Sequence, residues 1–303
     1  VLAECPSGGF TMLIDGGSAE AEEYAGSSTG RVPLADYLRR RGLRRLDLLV
    51  ITHIHEDHVC GLLEAADVAP PDRVWQALPE DFWREMEALP PDLAENLSMD
   101  KFLRALNGYR TLCEKLTARG CVFQSVSAGQ ETSLCPGLTA RVLGPDPARA
   151  AALAGELRAL CRSPDRGTKK RRLAAIDGCM NNYSVVLLLN YQGTRILLPG
   201  DTNCAGYGEL EPGLKADLFK LGHHGQRDSV TPELLDRIAP RHAVCCASSD
   251  RRYRSADPEL LRLLRGRGVC CWFSDCPEGE PAPPHSELTF AVGPEGEIAG
   301  AYR

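Results

Sequence analysis

The chain has 303 residues, of which 43% are hydrophobic and 25% charged. That is the balance of a soluble globular protein and excludes a disordered tail, a collagen-like repeat or a coiled coil. The net charge of −6, from 35 Lys and Arg against 41 Asp and Glu, argues against tight nonspecific binding to a polyanion. The longest apolar run, Ser184–Asn190, is too short to cross a bilayer, so no membrane partner is expected. Thirteen cysteines show no Cys-x-x-Cys spacing, and several lie in strand-like apolar runs. They are expected to be buried, reduced, small apolar side chains in a cytoplasmic protein, since disulfide scaffolds belong to short secreted chains.

In chain order, Val1–Cys5 and Phe10–Ile14 flank Pro6-Ser7-Gly8-Gly9 and predict a hairpin ending in Asp15-Gly16-Gly17. A loop rich in Ser, Glu and Gly runs on to Arg31. Pro33 suits the first turn of a helix through Arg41, stopped by Gly42. Leu46–Thr52 reads as a buried strand with His53–His58 at its end and a helix starting near Asp57. Helical periodicity follows at Asp81–Leu89 and Met99–Arg119, a strand pair at Val122–Val126 and Thr139–Leu143, and a helix at Pro147–Cys161. Ser163–Gly178 is polar and is expected to be an exposed, mobile loop. Its run Lys169-Lys170-Arg171-Arg172 is either a solvated stretch or a nucleic-acid or localisation patch.

Ser184–Tyr191 and Arg195–Leu198 flank Gln192-Gly193 as a hairpin that ends in Pro199-Gly200-Asp201. Strands at Asp217–Leu221, His242–Ala247 and Val269–Phe273 alternate with helices after Thr231 and at Pro258–Arg267, and Leu288–Val292 with Ile298–Tyr302 closes as a hairpin. This alternation predicts an α/β sandwich: two mixed β-sheets packed face to face with helices outside. A single domain over 1–303 is expected, with a mainly helical insertion at about 70–178, read as a substrate-facing cap.

The chemistry concentrates in Thr52-His53-Ile54-His55-Glu56-Asp57-His58, where three of the chain's seven His and two acids fall within six residues. In extended backbone, residues i and i+2 point the same way, so His53 and His55 can clamp one ion. Asp57 and His58, where the chain turns into a helix, can reach a second. Imidazole and carboxylate suit zinc, manganese or iron. Packing gives no reason for such density. Asp201 and the pair His223-His224 also follow predicted strands, and strand ends on one edge of a sheet can converge on one cleft.

These motifs resemble the metallo-β-lactamase fold superfamily. His53, His55, Asp57 and His58 match its His-x-His-x-Asp-His element in full. Leu13-Ile14-Asp15-Gly16-Gly17 is similar to its first motif, whose aspartate supports the metal loop, and Leu198-Pro199-Gly200-Asp201 to the motif that supplies a metal-bridging aspartate. More narrowly, Asn182-Tyr183-Ser184-Val185-Val186-Leu187 and Phe219-Lys220-Leu221-Gly222-His223-His224-Gly225 resemble the hydrolase domain of the bacterial competence protein ComEC and its stand-alone relatives.

The resemblance implies a binuclear hydrolase binding two divalent ions, Zn2+ or Mn2+, with a metal-bridging hydroxide. His53, His55, Asp57, His58, Asp201, His223 and His224 would be the metal set, with Asp57, His223 and His224 also serving catalysis. Asp15 would support the ligands, and Asn182, Ser184 and Lys220 would support them or meet substrate. The implied substrate is a phosphodiester, nucleic acid or nucleotide. A carbonyl ester, lactone or thioester hydrolase and a non-catalytic sensor or binding module are the alternatives. Two departures stand out. No His occurs between His58 and His223, where β-lactamases of this fold carry a further ligand; Asn181, Asn182 and Ser184 stand near that place. Gln226 replaces the Ser that usually follows His-His-Gly.

Overall fold

The structure, a computed structural model, describes residues 1–25, 30–207, 214–248 and 251–303. The polar loop expected before Arg31 therefore lies partly outside the described residues. The chain forms two compact units, each assembled from three segments: residues 1–20, 32–128 and 145–185, and residues 21–31, 129–144 and 186–303.

In the first unit, strands β1 (Leu2–Cys5), β2 (Phe10–Ile14), β3 (Leu46–Val50), β4 (Pro71–Gln76) and β5 (Val122–Ser125) make one sheet in that order. β1 pairs antiparallel with β2, and every later neighbour is parallel, so the sheet is mixed. β2 and β3 are almost wholly buried, which is why they read as continuous apolar runs instead of alternating ones. The helices are α1 (Leu34–Arg41), α2 (Glu56–Val59), α3 (Leu62–Val68), α4 (Leu97–Ala118), α5 (Pro147–Arg162) and α6 (Arg166–Asp177). Asn96, Asp146 and Asp165 cap α4, α5 and α6 by accepting from first-turn amides. One core gathers Leu49 and Val74 from the sheet, Phe102 and Leu106 from α4, Leu157 from α5 and Leu173 from α6.

The second unit holds a seven-stranded sheet. Its strands are β6 (Glu131–Cys135), β7 (Leu138–Gly144), β8 (Val186–Tyr191), β9 (Thr194–Leu198), β10 (Leu218–Lys220), β11 (His242–Cys245) and β12 (Cys270–Phe273). The β6-β7-β8-β9 half is antiparallel and the β9-β10-β11-β12 half parallel. The helices α7 (Cys204–Tyr207), α8 (Pro232–Ile238) and α9 (Pro258–Gly266) belong to this unit, as does the hairpin β13 (Leu288–Val292) and β14 (Ile298–Tyr302). Phe219, Leu235, Leu261 and Phe273 anchor its core.

Three expectations are corrected. Val122–Val126 and Thr139–Leu143 do not pair: β5 lies beside β4, and β7 lies between β6 and β8 in the other sheet. Asp81–Leu89 is not a helix but one 3-10 turn, Phe82–Glu85, because Met86 is already extended (ψ 135°) and Pro90 and Pro91 follow. Ser163–Gly178 is not a loop but α6. Buried Leu173 and Ile176 seat this helix, and its basic run is drawn into ion pairs, Lys170 with Glu95 at 2.8 Å and Arg172 with Glu156 at 2.7 Å. Residues 70–178 carry four strands, β4 to β7, besides the helices α4, α5 and α6. Among the described residues no helix is long and apolar enough to cross a membrane. All thirteen cysteines are free thiols, six of them buried.

Candidate metal centre

In the first unit β3 runs out at Val50, and His55 has extended backbone (φ −119°, ψ 162°) where α2 begins. His53 and His55 therefore fall on one side, with His53 Nε2 3.1 Å from His55 Nδ1. His53 and His58 are each 4% exposed. The neighbouring hydroxyls set the His53 tautomer. Its Nδ1 meets the hydroxyls of Thr52 at 3.0 Å and Ser184 at 3.2 Å. Thr52 already donates its proton to Asp15 Oδ2 (2.8 Å) and Ser184 donates its own to the Asn181 carbonyl (2.8 Å). Both hydroxyls can only accept from the ring, so Nδ1 carries the hydrogen and Nε2 presents a lone pair toward His55.

His58 is oriented the same way. Its Nδ1 lies 2.8 Å from Asp15 Oδ2, and a carboxylate only accepts, so Nε2 is left as the donor atom for a cation. His58 Nε2 is 3.8 Å from Asp57 Oδ2. Asp15 takes a left-handed backbone, φ 57°, which Asp tolerates better than most residues. From there it also accepts from the Thr52 amide at 2.8 Å. Glu56, absent from the expected set, is buried and accepts from Ser18 Oγ (2.7 Å) and the Ala19 amide (2.9 Å). Burial pushes its carboxyl up, and these two donors oppose that. Glu56 thereby ties residues 18–19 to α2. The sequence signal was present, an acid among the histidines, but its partner was not.

Asn181 Oδ1 is buried with no hydrogen-bond partner among the described residues, beside the Ser184 that holds His53. Asn182 sits in the same 3-10 turn, Met180–Tyr183. His55 has Asp177 near its far nitrogen, Nε2 to Oδ1 3.3 Å.

In the second unit β9 ends at Leu198, and Asp201 follows, 2% exposed. Asp201 Oδ2 lies 2.9 Å from His224 Nε2 and Oδ1 3.3 Å from Lys220 Nζ. Lys220 also donates to the carbonyls of Gly200 (2.9 Å) and Leu221 (3.2 Å). His224 Nδ1 is 2.9 Å from the Cys246 carbonyl, which only accepts, so Nδ1 holds the hydrogen. His223 and His224 both have left-handed backbones, φ 44° and 53°. This strained conformation is held by the Ala256 amide on the His224 carbonyl and the Asp257 amide on the Gly225 carbonyl. The result separates the two histidines: His224 faces Asp201, and His223 Nδ1 lies 2.9 Å from Asp228 Oδ1. Gly222 is obligatory here, since a Cβ would come 2.1 Å from the Thr202 carbonyl oxygen.

The residues fit a divalent cation. In the second unit His224 Nε2 stands 2.9 Å from an Asp201 carboxylate oxygen while the ring's other nitrogen is engaged by the Cys246 carbonyl, a pair that a cation or a ring proton would bridge. In the first unit His53 Nε2 and His58 Nε2 are both held as acceptors. Nitrogen and carboxylate donors suit zinc, manganese or iron.

Residues 1–96 match the family model of the metallo-beta-lactamase superfamily. ComE operon protein 3 of Bacillus subtilis (strain 168) is 26% identical over 246 residues, 80% of this chain. The match spans only 25% of that relative's length. Among solved structures, Zn(2+)-bound PqqB from Methylobacterium extorquens aligns with 90% of this chain and 84% of its own, at 14% identity and a TM-score of 0.45. A diphosphatase from the PhnP family aligns with 78% and 68%, at 12% identity and a TM-score of 0.34. Motifs and family model agree: the chain resembles the metallo-β-lactamase superfamily, most narrowly ComEC, and its mixed sheets and helices have the metallo-β-lactamase fold.

Proposed function

We propose that this protein is a metal-dependent phosphodiesterase acting on nucleic acid or a nucleotide, with two divalent ions, zinc or manganese. The observation that carries the metal reading is the tautomer pattern. His53, His58 and His224 each have the rear nitrogen engaged by an acceptor, so the forward nitrogen is left for a cation. His53, His55, Asp57 and His58 would be metal ligands in this reading, as would Asp201 and His224. Asn181 Oδ1, buried without a partner, would take the place of the missing histidine.

When bound, such ions supply Lewis-acid stabilisation of developing negative charge and acidify water. The chain's own residues do the rest. Asp15, Thr52 and Ser184 keep the histidine rings from rotating. Lys220 offsets charge on the Asp201 oxygen that does not face His224. His223, its ring held through Nδ1 by Asp228, would carry a proton to the leaving oxygen. The choice of a phosphodiester over a carbonyl substrate rests on the narrower motif resemblance and the 26% identity to ComE operon protein 3.

The test is metal content of protein purified without chelator, followed by turnover of bis(p-nitrophenyl) phosphate with zinc or manganese, beside Asp57→Ala. Near two ions per chain and cleavage that fails in Asp57→Ala are expected. Metal without phosphodiester cleavage would move the assignment to a carbonyl ester or lactone. Neither metal nor turnover would leave a binding module.

A further inference from the structure

We propose that Asp177, the last residue of α6, is a positioning residue that sets the tautomer of His55 and so makes the His53–His55 pair selective for a cation. The inference rests on the reading of these histidines as ligands.

His53 Nε2 presents a lone pair, as derived above. Across the 3.1 Å gap, His55 Nδ1 has two options. If it carries the hydrogen, it donates to His53 Nε2, the pair satisfies itself, and no ion is needed. If the hydrogen sits on Nε2, two lone pairs face each other, an arrangement that costs energy in the metal-free protein and that a positive charge relieves. What stands beside His55 Nε2 decides between them.

That neighbour is Asp177 Oδ1 at 3.3 Å. The approach falls short of hydrogen-bond geometry, and Nε2 has no other hydrogen-bond partner among the described residues. An acceptor-only carboxylate there favours hydrogen on Nε2, and charge withdrawn from the ring by an ion at Nδ1 would strengthen that donation. The carboxylate is aimed. Its other oxygen, Oδ2, accepts from Ser98 Oγ on α4 at 2.8 Å. Phe102, also on α4, closes the ring's flank edge-on, centroids 5.6 Å apart.

Helix stability does not explain an acid at this place. The C-terminal end of a helix carries partial negative charge and favours cations. α6 nevertheless ends on Asp177 with no basic residue in its last turn, and the side chain is only 15% exposed. The helical stretch expected to cap a substrate thus supplies a buttress for a ligand, from outside the residues 1–96 that match the family model.

The experiment uses the full chain as wild type, Asp177→Ala, Asp177→Asn and Asp177→Glu. Chelator competition with zinc and with manganese reads affinity for each of the two ions. Long-range 1H–15N spectra of the metal-free protein read the His55 tautomer, and thermal unfolding of the metal-free protein reads stability. Wild type should show hydrogen on His55 Nε2. In Asp177→Ala it should move to Nδ1, and affinity for one of the two ions should fall roughly 10- to 100-fold. Asp177→Glu should recover part of this, and the metal-free melting temperature should stay put. Asp177→Asn covers the case in which Ala fails to fold, with a smaller loss in the same direction. Unchanged affinity and tautomer in a protein that binds two ions would overturn the role of Asp177 alone, as would a fall in metal-free stability with affinity intact. A wild type that binds no ion would overturn the ligand reading and this inference with it.

Discussion

Gly61 and Gly16 touch backbone to backbone. A Cβ on Gly61 would lie 2.3 Å from the Gly16 carbonyl oxygen, and one on Gly16 would lie 2.6 Å from the Leu62 amide nitrogen. Two hydrogen bonds flank the contact, Gly16 N–H to the His58 carbonyl at 2.7 Å and Gly61 N–H to the Gly17 carbonyl at 2.9 Å. The loop that carries Asp15 and the helix turn that carries His58 are therefore locked in register.

Gly61→Ala should break that register. Overpacking against backbone costs about 1–3 kcal/mol, and Asp15 would move off His58. A lowered melting temperature together with reduced metal content is expected. A normal melting temperature with full metal content would show that the contact is slack.

Asp15→Asn should separate support from folding. Asn tolerates the left-handed backbone at this position, so stability should change little. An amide can donate toward His58 Nδ1 where the carboxylate could not, so metal affinity should drop roughly 10- to 100-fold. Chelator titration beside thermal unfolding checks both halves of the statement.

The two adjacent histidines should differ. His224→Asn removes the ring that faces Asp201 while keeping a residue suited to positive φ, and should lose an ion and turnover together. His223→Ala should keep both ions and lose turnover about 100-fold or more. Equal metal loss in the two variants would reject the division of labour.

Glu20 links its loop to α4 through Lys101 and Arg104, both at 2.6 Å. Burial pushes its carboxyl up, but the hydrogen bonds and charges of Lys101 and Arg104 prevail and hold it below the ordinary value of 4.5. A depressed carboxyl contributes stability that is present above its unfolded pKa and lost as pH falls through the folded value. The melting temperature should therefore fall on acidification below about pH 4.5, and Glu20→Gln should flatten that limb. Identical acid limbs would show that the pairs contribute nothing.

Thiol reactivity should follow burial. Burial pushes the Cys60 thiol up to about 12 and those of Cys113 and Cys245 higher still, while Cys270 is exposed. Brief alkylation of the native protein followed by peptide mass spectrometry should label Cys270 and spare these three.

Much of this arrangement can be read from local patterns. The i and i+2 spacing of His53 and His55 in extended backbone, the Asp-Gly-Gly turn and the capped starts of α5, α8 and α9 are all local features, and local physics suffices for them. What escaped depends on distant partners. β4 opens with Pro71-Asp72-Arg73 and received no strand expectation; it is a strand because β3 and β5 flank it. α6 shows only Leu173 and Ile176 as an apolar stripe, too little to outweigh its basic run until Glu95 and Glu156 are in place. Leu89 looks helical by spacing, yet its amide and carbonyl both bond the Asn107 side chain on α4. Asp177 had no sequence signal at all, because its meaning lies in the ring 122 positions earlier.

The first unit is threaded in three passes, and the last of them, residues 145–185, carries Asp177, Asn181 and Ser184. During synthesis, then, His53 and His55 emerge long before the groups that orient them. A ribosome must add more than a hundred further residues before the last of those supports exists. A chain ending near residue 128 would keep Thr52 beside His53 and Asp15 beside His58, but it would lack Ser184 at His53 and Asp177 at His55.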